Sequence, residues 1–306
     1  FHAEEGIRDC LLSRGLGDVY KRQAVRSPGS TLKPLIYATA LQRGFIKSNH
    51  VYQDKVFHQN GYTPTNFDGN WTGEVTLKDA LIRSLNIPAI ETLEMLGAEE
   101  FEKNLRTFFG KEVGHGKEAG LSLAAGGFYM SAENLADLYV ELADPGYEGK
   151  ISFLKDDITK PNSFLINTKT SSNILSLLSQ NDQMGRVMVF KTGTSHNRQD
   201  AWAVRLFSEH IVLVWLGTPD AERTEILTGR TAALPISTVI GETLGLKPPR
   251  VKSFAKESTA VKTVVKKECG KLINFPENGE WIRSNRTVIS VNGDAGAQWY
   301  LSLIHI

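Results

Sequence analysis

The first sustained hydrophobic period follows a Pro-Gly break at Pro28-Gly29. From Thr31 to Arg43, the apolar residues Leu32, Leu35, Ile36, Ala38, Ala40 and Leu41 recur at helical spacing, and Gly44 stops them. Pro34 fits a helix only in its first turn, where backbone N–H groups need no partner. Residues 45–75 lose the period and fill with Gly61, Pro64, Asn66, Asp68, Gly69, Asn70 and Gly73. Tyr52, Phe57, Tyr62, Phe67 and Trp71 are interleaved there, which suits either a cleft wall or a self-packed surface loop. Thr76 opens a second helix, with Asp79 in its first turn, that is expected to stop at Asn86-Ile87-Pro88. Further helices are expected over 89–96, over 99–109, from a Ser131 cap with Asn134 at the third position, and over 171–178.

After Gly185 the pattern changes to strands. Val187–Phe190 and Ala201–Leu206 are β-rich, and His210–Leu216 is the most apolar run in the chain. That run reads as a strand covered on both faces. The short link Phe207-Ser208-Glu209 predicts an antiparallel hairpin. Pro235–Leu244 returns to helix. Helices, then a sheet, then a helix predict an α+β fold with an antiparallel sheet flanked by helices. Lys247-Pro248-Pro249-Arg250 marks a boundary. Two strand-like stretches beyond it, 272–279 and 288–293, predict an incomplete small β module over 251–306, with a main domain over 24–250.

Composition narrows the chemistry. The 306 residues are 41% hydrophobic and 23% charged, an ordinary globular balance. A net charge of +1 argues against nucleic acid as a partner. Cys10 and Cys269 have no metal-type spacing and the histidines are scattered, so neither metal nor cofactor is expected. No apolar run approaches the roughly 18 residues that span a bilayer. Residues 1–23 read as a non-native leader: Glu4, Glu5, Arg8 and Asp9 interrupt any signal-peptide core. Both that stretch and Leu301–Ile306 resemble translated sequencing-adapter sequence; a natural amphipathic leader is the alternative.

Three motifs carry candidate chemistry. Ser30 and Lys33 form S-x-x-K, a spacing that puts hydroxyl and amine on one side of a helix. A hydroxyl at a helix start, with an amine in reach, suits a serine nucleophile and its base. Alone this pair carries little, since S-x-x-K arises about once by chance in a chain this long. Ser84-Leu85-Asn86 follows 54 positions after Ser30, and Lys191-Thr192-Gly193-Thr194 ends a strand 107 positions later still. S-x-x-K, S-x-N and K-T-G in that order form the signature shared by penicillin-binding proteins and serine β-lactamases.

Residues 24 to about 245 resemble the transpeptidase domain of class A (bifunctional) penicillin-binding proteins, nearest the 1C subgroup. RSPGSTLKPLIYATAL, GYTPTNFDGNWTGEVTLKDALIRSLNIPAIETL, KTGTSHNRQDAWAV and GRTAALPI carry the resemblance, and LINFPENGEW resembles that subgroup's C-terminal module. The resemblance implies a serine β-lactamase/DD-transpeptidase-like fold and a set of roles. Ser30 would attack the carbonyl of a D-alanyl-D-alanine peptide and form an acyl-enzyme. Lys33 would be the base, its pKa lowered by Lys191. Ser84 would relay a proton, and Asn86 would hold Lys33 and bind the substrate carbonyl. Lys191, Thr192, Gly193 and Thr194 would receive the substrate, with Lys191 and Thr194 on its terminal carboxylate. The N–H groups of Ser30 and Thr194 would form the oxyanion hole.

The implied partners are peptidoglycan stem peptides and β-lactam antibiotics. The implied location is the periplasmic face of the inner membrane, with the parent protein anchored by a segment upstream of this chain. Two other readings share the signature. A β-lactamase would need a deacylating carboxylate, for which Glu100 and Asn104 have the E-x-x-x-N spacing. A non-catalytic β-lactam sensor would signal through membrane helices. Family members also carry a β-hairpin, a glycosyltransferase domain and an anchor before the nucleophile, where residues 1–23 stand here. Without the hairpin, strand 211–216 is expected to present an open hydrophobic edge prone to aggregation, in a domain of reduced stability.

Overall fold

The computed structural model describes residues 24–249, apart from 60, 110–112, 115–117, 146–165, 183 and 218–227, together with the backbone of 298–305. The leader 1–23 and most of the expected module at 251–306 lie outside the described residues.

After a tight 3-10 turn, Gly29–Leu32, the chain runs through α1 (Lys33–Gln42), β1 (Val51–Asp54), β2 (Gly73–Thr76), α2 (Leu77–Arg83) and α3 (Asn86–Leu96). Then come α4 (Ala98–Phe109), α5 (Ala132–Ala143), α6 (Thr168–Leu178), β3 (Ser179–Asn181), β4 (Val187–Thr194), β5 (Asp200–Leu206), β6 (His210–Gly217), α7 (Leu234–Thr243) and β7 (Gln298–His305). The expected α+β architecture is present. Strands β3 to β7 form one antiparallel sheet in sequence order.

The sheet is covered on both faces, as the unbroken apolar run of β6 requires. Ala201, Ala203, Val212, Val214 and Leu216 share a cluster with Ala233 and Ile240 on the side of α7. Trp202, Val204, Leu206, Ile211, Leu213 and Trp215 join the main helical core on the other face. Trp202 and Trp215 pair directly across β5 and β6 and stack with centroids 5.7 Å apart. Helix α1 runs through that core: Leu35, Ile36, Tyr37, Ala38 and Ala40 are wholly buried, so its apolar stripe is nearly the whole circumference.

Three expectations need correction, and one element went unread. The break between the second and third helices falls earlier than Pro88 suggested: α2 ends at Arg83 and α3 already contains Asn86. Proline is accepted in a first turn because it needs no N–H partner there, so the helix expected to begin with Pro88 starts two residues earlier, at Asn86. The loop over 45–75 is bracketed by the β1–β2 pair, Val51 opposite Thr76 and Asp54 opposite Gly73. The short strand β3 follows α6 without a turn residue, and no pattern announced it. Finally, β6 has no open edge: β7 pairs with it from His210↔His305 to Gly217↔Gln298, which satisfies the exposed backbone groups.

Candidate active site

The nucleophile candidate sits on a turn fastened from three sides. Thr31 closes it by donating from both N and Oγ1 to the Pro28 carbonyl, at 3.2 and 2.7 Å. Ser27 Oγ donates to the Gly126 carbonyl at 2.8 Å, and the Trp202 indole N–H donates to the Ser27 carbonyl at 2.8 Å. Gly29 takes φ +54°, and a Cβ there would lie 2.6 Å from the Thr194 carbonyl oxygen. The turn therefore rests against the end of β4. Ser30 stands in this 3-10 turn and not in the α-helix expected of it; α1 starts at Lys33. Pro34 disfavours helical geometry in the residue before it, and the tighter turn still puts residues i and i+3 on one side. Ser30 is partly exposed, and its hydroxyl makes no hydrogen bond among the described residues.

Lys33 is wholly buried beneath it. Its Nζ donates to the Ser84 carbonyl at 2.7 Å and to Asn86 Oδ1 at 2.6 Å. Burial, and then the neighbouring Lys191, hold its pKa well below the usual lysine value. Ser84 caps α2 in the left-handed conformation, φ 61° and ψ 36°. That conformation turns its carbonyl to Lys33 and its hydroxyl to Lys191, whose Nζ donates to Ser84 Oγ at 2.7 Å. Lys191 also donates to the Thr192 carbonyl at 2.8 Å. It is 3% exposed, and burial together with Arg230 brings its pKa down to about 7.

The rest of K-T-G-T lines the end of β4. Thr192 pairs with Ala203 and is partly buried. Gly193 has a packing reason for lacking a side chain: a Cβ there would lie 2.4 Å from the Pro28 carbonyl oxygen and 2.8 Å from Thr31 Cγ2. Thr194 Oγ1 accepts from the Gly229 N–H at 3.0 Å, so its own hydrogen is left to donate. All eight residues singled out in the sequence thus converge where the Gly29–Leu32 turn, the α2–α3 junction and β4 meet.

Sequence reasoning missed three contributors. Arg230, exposed in the turn just before α7, makes no hydrogen bond or ion pair among the described residues and acts on Lys191 through its charge. It lies in GRTAALPI, noted for resemblance but not for chemistry. Asp54 and Asn66 brace Asn86 from the β1–β2 loop. That loop therefore borders the site through Asn66, while Tyr52, Phe57 and Tyr62 pack on the main core and Phe67 lies under Arg198 at 5.5 Å, bridging to the turn after β4. Among the described residues no group of His, Cys, Asp or Glu could hold a metal ion.

Glu100, the carboxylate a β-lactamase reading requires, is remote. Its side chain is 60% exposed and pairs with Arg43 at 2.8 Å. Arg43 follows the last residue of α1, whose ten residues rise about 15 Å from the Lys33 end.

The architecture is the α+β, DD-transpeptidase-like fold, an antiparallel sheet flanked by helices. A family model for the penicillin-binding protein transpeptidase domain matches residues 18–205, and the chain belongs to that family. It is 32% identical over 231 residues to penicillin-binding protein 1C of Escherichia coli, covering 72% of this chain and 30% of that protein. It is 29% identical over 277 residues to penicillin-binding protein 1F of Bacillus subtilis, covering 79% of this chain and 38% of that one. The chain thus spans about a third of the length of these curated relatives. Among solved structures, penicillin-binding protein 1A of Haemophilus influenzae superposes with a TM-score of 0.60 at 22% identity, over 76% of this chain and 44% of that one. The PonA1 protein of Mycobacterium tuberculosis in complex with penicillin V gives 0.61 at 18% identity, over 78% and 74%. No helix among the described residues is long and apolar enough to cross a membrane.

Proposed function

We propose that this chain is a peptidoglycan D,D-transpeptidase working through a Ser30 acyl-enzyme, and that penicillin acylates the same serine. The observation that carries the reading is the setting of Lys33. A neutral amine has two N–H donors and one lone pair. Both donors are taken, by the Ser84 carbonyl and Asn86 Oδ1, which leaves the lone pair for the Ser30 proton. Burial and the neighbouring Lys191 depress its pKa, which favours the neutral form that can take a proton.

The steps follow from the neighbours. Ser30 Oγ bonds to the carbonyl carbon of the penultimate D-alanine while its proton passes to Lys33. The backbone N–H groups of Ser30 and Thr194 face the developing oxyanion. The terminal carboxylate takes the Thr194 hydrogen and the charge of Lys191, and the arriving anion raises the pKa of Lys191. As the C–N bond breaks, the Ser84 hydroxyl gives its proton to the leaving D-alanine amine and is resupplied by Lys191 at its oxygen. An acceptor amine then attacks the ester. It returns a proton through Ser84 to Lys191, and Lys33 restores the proton of Ser30. The donor is the D-Ala-D-Ala end of a stem peptide, and the parent protein is held at the periplasmic face of the inner membrane.

The test is incubation with a fluorescent penicillin. Ser30→Ala is expected to abolish labelling, and the wild-type adduct is expected to persist for many minutes. Labelling that survives the substitution overturns the assignment to Ser30; an adduct hydrolysed within seconds would favour a β-lactamase.

A pH profile follows from the two lysines. Carboxylate binding needs Lys191 protonated, so the second-order acylation constant should fall as pH rises through about 7 in the free protein. Arg230→Ala removes a repelling cation, so this descending limb should move to higher pH. An unmoved limb would show that Lys191 does not set it.

A further inference from the structure

The β1–β2 loop does more than border the site. Asp54, 1% exposed, receives three hydrogen bonds. Asn66 Nδ2 donates to both of its oxygens at 2.9 and 3.0 Å, and the Thr72 N–H donates to Oδ2 at 2.8 Å. Asn66 is 3% exposed, and its Nδ2 also reaches the Asn70 carbonyl at 2.8 Å. With its NH2 group committed to these acceptors, the Asn66 amide can present only its oxygen on the other side. That oxygen accepts the N–H of Asn86 at 2.8 Å, the first residue of α3, which otherwise has no intrahelical partner. The Asn86 side-chain amide is oriented by the carbonyl of Thr65, the residue peptide-bonded to Asn66. Asn86 Nδ2 donates to the Thr65 carbonyl at 2.7 Å, so Asn86 Oδ1 faces Lys33.

A carboxamide has two ends of opposite polarity, and rotation by half a turn exchanges them. If Asn86 presented its NH2 to Lys33, the Lys33 lone pair would be drawn to it and lost to Ser30. We infer that Asp54 and Asn66 are positioning residues: by anchoring the Asn66 side chain they fix the adjoining Thr65 carbonyl that takes Asn86 Nδ2, which sets the polarity of the Asn86 side-chain amide and so keeps the Lys33 lone pair free for the nucleophile. Neither touches the reacting atoms. The inference rests on the acyl-transfer reading above, and extends it to a loop that the three motifs leave out.

Asp54→Asn tests it with an isosteric side chain that removes a buried charge but can turn an NH2 toward Asn66. The readouts are the rate constant of penicillin acylation per competent molecule and the fraction of molecules labelled at completion. A positioning role predicts a rate constant lower by about 10²-fold with the labelled fraction intact. A purely structural role predicts the native rate in a smaller fraction. Asn66→Ala should cost a similar factor, and the double variant no more than Asn66→Ala alone, because both act through one path. Acylation of Asp54→Asn at the native rate, or losses that multiply in the double variant, would overturn the inference. Ser30→Ala in the same experiment keeps the two readings apart: labelling that survives it sinks the acyl-transfer reading, whereas its loss beside a native-rate Asp54→Asn sinks only this one.

Discussion

Gly29→Ala is expected to slow penicillin acylation by about 10²-fold or more and to lower the unfolding temperature as well. The new Cβ would lie 2.6, 2.7 and 2.8 Å from the oxygen, nitrogen and carbonyl carbon of Thr194. These are backbone atoms, and Thr194 is fixed by its pairing with Ala201, so no side chain can swing aside. The left-handed φ of +54° adds about 1–2 kcal/mol for a residue with a Cβ. Either the turn that carries Ser30 or the end of β4 must then move, and both carry groups proposed to act on the same carbonyl. Overpacking of this kind costs about 1–3 kcal/mol, so loss of rate and loss of stability should appear together. Thermal unfolding monitored beside the labelling rate checks both. A variant with a native rate would show that the contact between the turn and β4 does not align the site.

Lys33→Met is expected to separate the two properties. Loss of the proposed base should slow acylation by about 10²- to 10⁴-fold. Stability responds differently, because the buried amine has two neutral acceptors and no carboxylate. Its folded pKa lies well below 10.5, so between the two values the unfolded chain binds the proton that the folded one does not. Such a group stabilises most at high pH, and that stability is lost as pH falls toward the folded pKa, by up to about 1.4 kcal/mol per unit. Lys191 acts with the same sign. The wild type should therefore lose stability as pH falls from about 10 toward 7, and Lys33→Met should lose less of it. Parallel stability curves in urea titrations across that range would contradict the buried neutral amine.

Much of this molecule was readable in one dimension. The α1 pattern, the Ser131 cap and the β4–β5–β6 order all appeared as local signals, because period and capping act between residues close in sequence. The capping box of Ser131 and Asn134 is present as expected. The S-x-x-K, S-x-N and K-T-G triple was legible for another reason: its chemistry needs particular side chains, whatever holds them. What misled was local too. Pro88 reads as the start of the third helix, but sequence alone does not say at which position of the first turn a proline sits, and the helix begins at Asn86.

The sequence by itself determined the fold class, the proposed reactive groups and their order along the chain. Only the tertiary structure decided how those groups are aimed. Ser84 faces two lysines through its carbonyl and its hydroxyl because one residue at a helix end is left-handed. Gly193 lacks a side chain because the Pro28 carbonyl fills that space. Arg230, Asp54 and Asn66 join the site through contacts between segments far apart in the chain. Aim depends on hydrogen-bond polarity and on van der Waals closeness across such segments, and neither leaves a period or a spacing to read.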